Sequence, residues 1–247
     1  TSAKRITQAT DYIKQNLKAG GTVYILGGTS AVPETVDNKL SGFKVQRLAG
    51  AERYETNTLI LKAGGVKDGD EIFVCTGKDY ADSLSVSSVG KPILLVKSKL
   101  TTAQINLLKS LKDLKFTIIG GTNAVTKDIE DALKSYGTIR ERLAGQNRFD
   151  TSVMVAQKYF EDPETVTLVY SHDFPDGLSA GPFAYYKNSP TILTRTKKLA
   201  DAQAYVQSLM NLKAGYVIGG EGLISDAAIQ TIFGLENADD IISVYQK

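Results

Sequence analysis

The sequence predicts an α/β protein made of tandem modules, each with a mostly parallel sheet covered by helices. Three observations predict this fold: sequence motifs recur in a fixed order, strand and helix patterns alternate, and the candidate strands are continuous apolar runs. Parallel strands that are buried on both faces have such runs, whereas half-exposed strands alternate apolar and polar residues. We therefore expect parallel sheets with helices on their faces.

The most informative of these observations is the internal repeat, which sets the module boundaries. The block Arg47–Thr56 returns 95 residues later as Arg142–Thr151, with six of ten positions identical. Two further blocks recur in the same order, one at Asp79–Ser85 and Asp173–Ser179, the other ending in Gly-Gly at Gly28, Gly121 and Gly220. The repeat predicts a partial module over residues 1–46 and complete modules over 47–141 and 142–247. About 49 residues of the first module are missing relative to this period, so we expect the chain to begin inside a module.

The elements within each module follow from local patterns. Ile6, Ala9, Ile13 and Leu17 recur at helical spacing before a Gly-Gly stop, which predicts the first helix. Similar patterns predict helices near residues 54–63, 79–90, 101–112, 151–159, 176–186 and 200–211. Apolar runs predict strands near 22–26, 71–75, 92–96, 116–119, 166–170, 190–194, 215–218 and 241–245.

A further helix is expected after each Gly-Gly turn. Thr126 and Ser225 are suited to be the N-caps of two of these helices, because their hydroxyls can accept a hydrogen bond from the first turn. Pro33 is suited to the first turn of the third, where no backbone N–H is needed.

Composition excludes several classes of protein and site. The 247 residues are 42% hydrophobic and 23% charged, as in ordinary globular domains. A net charge of +2 is too small for a dedicated nucleic-acid binder. With one cysteine, Cys75, and one histidine, His172, we expect no internal disulfide, no structural metal and no cofactor. No apolar run approaches the roughly 20 residues of a membrane-spanning helix.

Several motifs have both a functional and a structural interpretation. The Gly-Gly turns could bring backbone N–H groups to an anion, but they lack the nucleotide-binding fingerprints, and a simple strand-to-helix turn is preferred. The Asp-x-x-Asp pairs that begin at Asp79 and Asp173 could bind a cation or a sugar, although helix capping also explains them. His172 aligns with Lys78 of the other complete module, which favours a surface loop over a general base.

Basic side chains cluster after the two strands that begin with proline. Residues 91–115 contain six lysines and one aspartate, and residues 187–198 contain four basic residues and no acid. Such patches bind extended polyanions or are simply solvated helix faces. The arginines of the repeated block could clamp phosphates or bridge modules through carboxylates such as Glu55 and Asp150, and we favour the bridging role.

Together, the Arg-Leu-Ala-Gly block, the Asp-x-x-Asp-x-Leu-Ser block, the Pro-Ile-Leu-Leu strand and the Ile-Gly-Gly turn resemble the type 2 cell wall binding repeat. This repeat occurs in clostridial cell wall and surface-layer proteins, and the resemblance covers essentially the whole chain. It implies three α/β modules packed with pseudo-threefold symmetry, the first incomplete here. It also implies a non-catalytic anchor that retains a secreted surface protein on an anionic polymer of the Gram-positive wall or surface layer.

The family's anchoring motif, Ile-Leu-Leu, corresponds to Ile93, Leu94 and Leu95, and the last module keeps only Ile192 and Leu193 of it. We expect basic side chains beyond these strands to neutralise polymer charges, while the apolar strand positions the wall of a groove. The predicted polymer-binding residues are Ile93, Leu94, Leu95, Lys97, Lys99, Ile192, Leu193, Arg195, Lys197, Lys198, Arg47, Arg53, Arg142 and Arg148.

The expected partner is an anionic cell wall polysaccharide, with other surface-layer proteins as further candidates and no nucleic acid. Two other functions stay open. A structural surface-layer tile would make protein–protein contacts and ignore the wall polymer. An α/β enzyme acting on a phosphorylated or glycan substrate would need convergent catalytic groups, which the repeat does not supply.

Overall fold

The computed structural model describes residues 6–237 and 240–241 of the chain. Within them the chain forms nine strands and ten α-helices that alternate along most of the sequence. The strands are β1 (Thr22–Leu26), β2 (Lys44–Leu48), β3 (Glu71–Thr76), β4 (Ile93–Val96), β5 (Leu114–Ile119), β6 (Gly137–Leu143), β7 (Thr165–Tyr170), β8 (Thr191–Thr194) and β9 (Ala214–Ile218).

The helices are α1 (Ile6–Asn16), α2 (Thr35–Lys39), α3 (Arg53–Ala63), α4 (Ala81–Val86), α5 (Thr102–Lys109), α6 (Lys127–Leu133), α7 (Arg148–Tyr159), α8 (Pro175–Tyr186), α9 (Ala200–Ser208) and α10 (Asp226–Phe233). A short 3-10 helix, Ser87–Val89, continues α4.

The strands form three parallel sheets. Their orders are β1-β2, β4-β3-β5-β6 and β8-β7-β9. Every strand pair within them is parallel. In module 142–247, β8, β7 and β9 correspond to β4, β3 and β5 of module 47–141. In the partial first module, β1 and β2 correspond to β5 and β6. The predicted α/β fold with parallel sheets in tandem modules is confirmed.

Helices cover both faces of the four-stranded sheet. One face packs its apolar side chains, Phe116 among them, against α3, α5 and α6. The other face packs Phe73 and Cys75 against Val86 of α4 and Val155 of α7. Cys75 is fully buried, as a small apolar core residue would be.

Two helices belong to the cores of both complete modules. The neighbour of Val155 in α7, Ala156, packs into the core of the three-stranded sheet. Helix α4 reaches the same sheet from the other side, where Leu84 contacts the cluster that contains Leu193. The close approach of α4 to α8 requires glycine, because a Cβ at Gly177 would lie 2.3 Å from a methyl group of Leu84. The two complete modules therefore share their hydrophobic core.

The structure corrects some of the element predictions. Strands β2 and β6 were not predicted, because their apolar residues are interrupted by charged ones. Pro33 does not lie in the first turn of α2, which begins two residues later; its carbonyl instead accepts the N–H of Val36. The helix predicted over 79–90 is divided into α4 and the 3-10 helix. The strand predicted at 241–245 falls, apart from residue 241, outside the described residues.

The two predicted N-caps are confirmed. Thr126 Oγ1 accepts a hydrogen bond from the N–H of Ile129, and Ser225 Oγ accepts one from Ala228. Each cap satisfies a backbone donor that the first helical turn leaves without a partner.

Candidate functional site

Cationic side chains gather where β4 and β8 end. Lys97 follows the last residue of β4, and Arg195 follows the last residue of β8 at the equivalent position of the next module. In open parallel sheets, ligands commonly bind beyond the carboxyl ends of the strands. The structure therefore places these two predicted binding residues where the fold favours a ligand.

Each of the two cations lies over an aromatic ring of the first helix of its module, α3 for Lys97 and α7 for Arg195. The Lys97 ammonium is 5.2 Å from the centre of the Tyr54 ring, and the Arg195 guanidinium is 6.0 Å from the centre of the Phe149 ring. Both distances allow a cation–π interaction. Tyr54 and Phe149 hold equivalent positions in the repeated block, so the arrangement of strand-end cation and ring occurs once in each complete module. The predicted site did not include the rings.

Arg53 and Arg148 hold the loops that follow the first strand of their modules. Arg53 Nη1 donates to the carbonyl oxygen of Gly77 at 2.9 Å, and Arg148 Nη1 donates to that of Ser171 at 2.8 Å. Arg148 Nη2 also donates to Asp79 Oδ2 at 2.9 Å, across the boundary between the modules. Asp79 Oδ1 accepts the N–H of Ala81 at the start of α4, although the N-cap position itself is held by Tyr80.

Arg47 and Arg142 make a different set of contacts, at the Gly-Gly turns. Arg142 donates to the carbonyl oxygen of Gly120 at 2.8 Å and to Glu130 of α6 at 2.7 Å. Arg47 makes the same pair of contacts in the first module, with Gly27 and Asp37. Hydrogen bonds from Lys127 and Arg142 lower the pKa of Glu130. The guanidiniums of these two arginines thus hold strand-to-helix turns together.

The carboxylates suggested as partners of the arginines have other roles. Glu55 accepts the N–H of Glu52 in a capping box, and Asp150 accepts the N–H of Gln146. Three arginines of the repeated block do pair with carboxylates, but with Asp37, Glu130 and Asp79.

The apolar residues of the predicted site differ in exposure. Leu94, Ile192 and Leu193 are fully buried, so they contact the protein core. Ile93 and Leu95 are partly exposed and line an open groove of about 970 Å³ that also contacts Asn57 of α3. The Asn57 amide donates to the carbonyl oxygen of Ile93 and accepts the N–H of Leu95, both at 2.9 Å.

The two strand-end sites differ in charge. Lys97 forms an ion pair with Glu52 at 2.7 Å, and this hydrogen bond raises the pKa of Lys97. The residue equivalent to Glu52 is the uncharged Asn147, whose side chain caps α7. Lys99, Lys197 and Lys198 are exposed and form no ion pair with the part of the chain that the structure describes. In module 142–247, no carboxylate at this position compensates the positive charge of the site, whereas Glu52 does so in module 47–141.

Neither a metal-binding cluster nor a spanning helix is found in the described part of the chain. No three histidine, cysteine or acidic side chains within residues 6–237 and 240–241 are grouped to hold a metal ion. In the same residues, no helix is long and apolar enough to cross a membrane.

Comparison with known proteins gives a family match over both complete modules. The family model described as cell wall binding domain 2 matches residues 47–130 and 142–229. Among curated proteins, the chain is similar to the N-acetylmuramoyl-L-alanine amidase LytC of Bacillus subtilis, with 26% identity over 82% of this chain and 41% of that protein. The amidase enhancer of the same organism is 30% identical over 73% of this chain and 25% of its own length.

Two solved structures from Clostridium difficile have the same fold. Cwp8 superposes with a TM-score of 0.75 at 31% identity, over 87% of this chain and 38% of that one. Cwp6 superposes with a TM-score of 0.79 at 23% identity, over 92% of this chain and 38% of that one. The chain therefore spans about two fifths or less of the length of each of these four proteins.

Proposed function

The chain belongs to the cell wall binding domain 2 family, and on this basis we propose that it is a non-catalytic anchor for an anionic wall polysaccharide. Bound to that polymer, it retains a secreted surface protein on a Gram-positive wall. The observation that carries the proposal is the strand-end cation over an aromatic ring, which occurs in both complete modules. Catalytic activity, such as that named for one relative, would reside in a region outside these modules.

The geometry suits an extended, charged ligand. We propose that one polymer with regularly spaced negative charges contacts both the cations after β4 and those after β8. Each contact between exposed charges is weak, because solvent and salt screen it. Two sites on one chain nevertheless raise the overall affinity, since the second contact forms within the complex. The buried Leu94, Ile192 and Leu193 position the strand ends without touching the ligand.

Sedimentation with purified walls tests the proposal. The chain is mixed with deproteinised Gram-positive walls, before and after chemical removal of the anionic polymer, across a series of salt concentrations. We expect the chain to pellet only with polymer-bearing walls, and less as salt rises, because screening weakens exposed charge pairs. Failure of the folded chain to pellet, or pelleting that ignores both polymer and salt, would overturn the proposal. A surface-layer tile would either not pellet at all or pellet independently of polymer and salt.

A matched pair of variants assigns the binding to the strand ends. In one, Lys97, Arg195 and Lys197 are changed to glutamine. In the control, Lys134, Lys158 and Lys213 are changed to glutamine, which removes the same charge from exposed ion pairs elsewhere. We expect only the first variant to lose affinity for walls. Equal losses in the two variants would show that net charge, not this site, drives binding.

A further inference from the structure

The single histidine lies beside the strand-end cation of module 142–247. His172 is exposed and follows β7. Its Nε2 lies 3.1 Å from Nη1 of Arg195, and its Nδ1 lies 2.7 Å from Oγ of Ser171. A guanidinium has only donors, so Nε2 accepts this hydrogen bond. The imidazole is therefore neutral in this arrangement, with its proton on Nδ1.

The charged groups around His172 come from three elements and are mostly positive. Arg195 follows β8, Arg148 begins α7, and Asp79 precedes α4. Partial burial lowers the pKa of His172, Arg195 and Arg148 lower it further, and Asp79 opposes them. On the same loop, Asp173 uses a carboxylate oxygen to accept the N–H of Phe174. Asp79 is the one carboxylate that raises the pKa of His172, and it is already paired with Arg148, so the two arginines outweigh it.

Arg195 keeps hydrogen-bonding capacity that the described structure does not use. Its Nε is buried and has no hydrogen-bond partner among the described residues. Aromatic rings flank the imidazole, with the centres of the Phe149 and Tyr170 rings 6.2 Å and 6.0 Å from that of His172. A buried donor without a partner costs free energy, so Arg195 gains from an anionic partner that it can reach.

We propose that Arg195, His172 and Arg148 bind one phosphate group, which makes this end of module 142–247 a phosphodiester subsite for the wall polymer. This inference rests on the proposed function and names the chemistry of its ligand. A phosphodiester presents oxygens that can accept from more than one cationic donor at once, as guanidinium groups do with phosphate. Arg148 keeps its contacts with Ser171 and Asp79 and supplies charge.

Binding changes the role of the imidazole. When the phosphate arrives, Arg195 turns its donors from His172 to the phosphate oxygens, and Nε2 takes a proton from solvent and becomes a donor. The negative charge stabilises the imidazolium, so the pKa of His172 is higher in the complex than in the free chain. Affinity therefore rises as pH falls from the pKa of the complex to the pKa of the free chain.

The other complete module has no such pH dependence near neutrality. It carries Lys78 and Lys97 at the positions of His172 and Arg195, and Glu52 neutralises Lys97. Lysine stays protonated throughout the range in which a histidine titrates. The two modules thus differ in chemistry at equivalent positions.

Proton NMR of the intact chain tests the inference, because His172 is the only source of histidine ring signals. The ring Cε1–H signal is followed against pH in dimethyl phosphate, which stays a monoanion throughout, and in sodium chloride of equal ionic strength. We expect the phosphodiester to raise the pKa of His172, and Arg195→Gln to abolish this increase. The control Lys213→Gln should keep it. An unchanged pKa in saturating dimethyl phosphate, or an equal increase in Arg195→Gln, overturns the inference.

Wall sedimentation of a second variant supplies an independent readout. His172→Lys places the residue of position 78 at this site and keeps a positive charge at all relevant pH values. We expect wild-type affinity to rise as pH falls, by at most about tenfold for each unit by which the phosphate raises the pKa, and His172→Lys to bind equally at both ends of the range. The same pH dependence in both proteins overturns the inference. Pelleting without an NMR response refutes only this inference, whereas an NMR response without pelleting refutes only the proposed anchor.

Discussion

At the scale of single residues, the first glycine of each Gly-Gly turn meets a conformational need. Gly27, Gly120 and Gly219 have φ values of +116°, +97° and +147°, a region that side chains strongly disfavour. Gly120 has a second constraint, because a Cβ there would lie 2.2 Å from Oδ2 of Asp82. The turn therefore brings a carboxylate and a backbone bend together, a contact that no motif in the sequence indicated.

Asp82 is a largely buried carboxylate whose titration is coupled to folding. Burial raises its pKa from 3.8 to about 6, Asp79 adds to this effect, and Arg148 opposes it. The folded protein then holds a proton that the unfolded chain releases between these two values. The resulting stabilisation is complete below pH 3.8 and is lost as pH rises through about 6.

We expect Asp82→Asn to remove this pH dependence. The variant should gain stability over the wild type as pH rises from 4 to 7, by up to about 3 kcal/mol, because asparagine carries no charge to bury. The free energy of unfolding in urea is measured for both proteins at several pH values. The control is Asp131→Asn, which changes an exposed ion pair with Lys134. If the difference between Asp82→Asn and wild type is the same at every pH, Asp82 does not titrate as described.

At the scale of elements, α7 connects the two complete modules through polar contacts as well as apolar ones. Tyr159 at its end donates to Glu71 Oε1 of β3 at 2.9 Å. Burial alone would raise the pKa of Glu71, but hydrogen bonds from Lys91, Thr117 and Tyr159 lower it to about 2. At its other end, Arg148 pairs with Asp79.

Strand β4 is an edge strand of its sheet, and the side chain of Asn57 bonds to its free edge. The Asn57 amide makes two hydrogen bonds to the free edge of β4, where a further strand would bind. We expect Asn57→Ala to destabilise the chain by about 1–3 kcal/mol, because it leaves a partly buried donor and acceptor without a partner. Urea unfolding measures the change.

The control for this prediction is Asn211→Ala, because Asn211 contacts Asp162 on the exposed surface. It should unfold at nearly the wild-type urea concentration. If Asn57→Ala were as stable as the wild type, water would hydrogen-bond to the free backbone groups of β4 as well as the asparagine amide does.

Most elements could be predicted from the sequence, and the exceptions have a common physical cause. Buried central strands such as β3 and β7 are continuous apolar runs, which identify them directly. Strands β2 and β6 lie at sheet edges and have mixed exposure, with charged residues between apolar ones. A search for continuous apolar runs therefore passes over them. The helix predicted over 79–90 contains α4 and the 3-10 helix that follows it, but the sequence did not show that α4 packs on the sheet of the next module.

At the scale of the whole molecule, the repeat predicts equivalent positions but not the contacts made there. It aligned Lys97 with Arg195 and Tyr54 with Phe149, and the structure adds that each cation lies over its ring. The ion pair between Asp79 and Arg148 joins residues 69 positions apart, a distance that local patterns do not report. The sequence alignment of His172 with Lys78 argued against catalysis, but it did not reveal the neighbouring arginines.

The two complete modules should contribute unequally to binding, because among the described residues Lys97 pairs with a carboxylate and Arg195 does not. Lys97 must give up part of its interaction with Glu52 to contact a polymer, and Arg195 faces no such carboxylate, since Asn147 replaces it. We expect Arg195→Gln to lower wall affinity more than Lys97→Gln. Glu52→Gln should raise it, since it frees Lys97 and removes a charge that repels the polymer.

Wall sedimentation at low salt compares these three variants with the wild type, and high salt should reduce the differences between them. The control is Glu164→Gln, which removes an acid from the exposed pair with Lys213 and therefore changes net charge equally. A gain in Glu164→Gln as large as that in Glu52→Gln would assign the effect to net charge. Equal losses in Lys97→Gln and Arg195→Gln would mean that the ion pair with Glu52 does not compete with the polymer, because an exposed pair of this kind contributes too little.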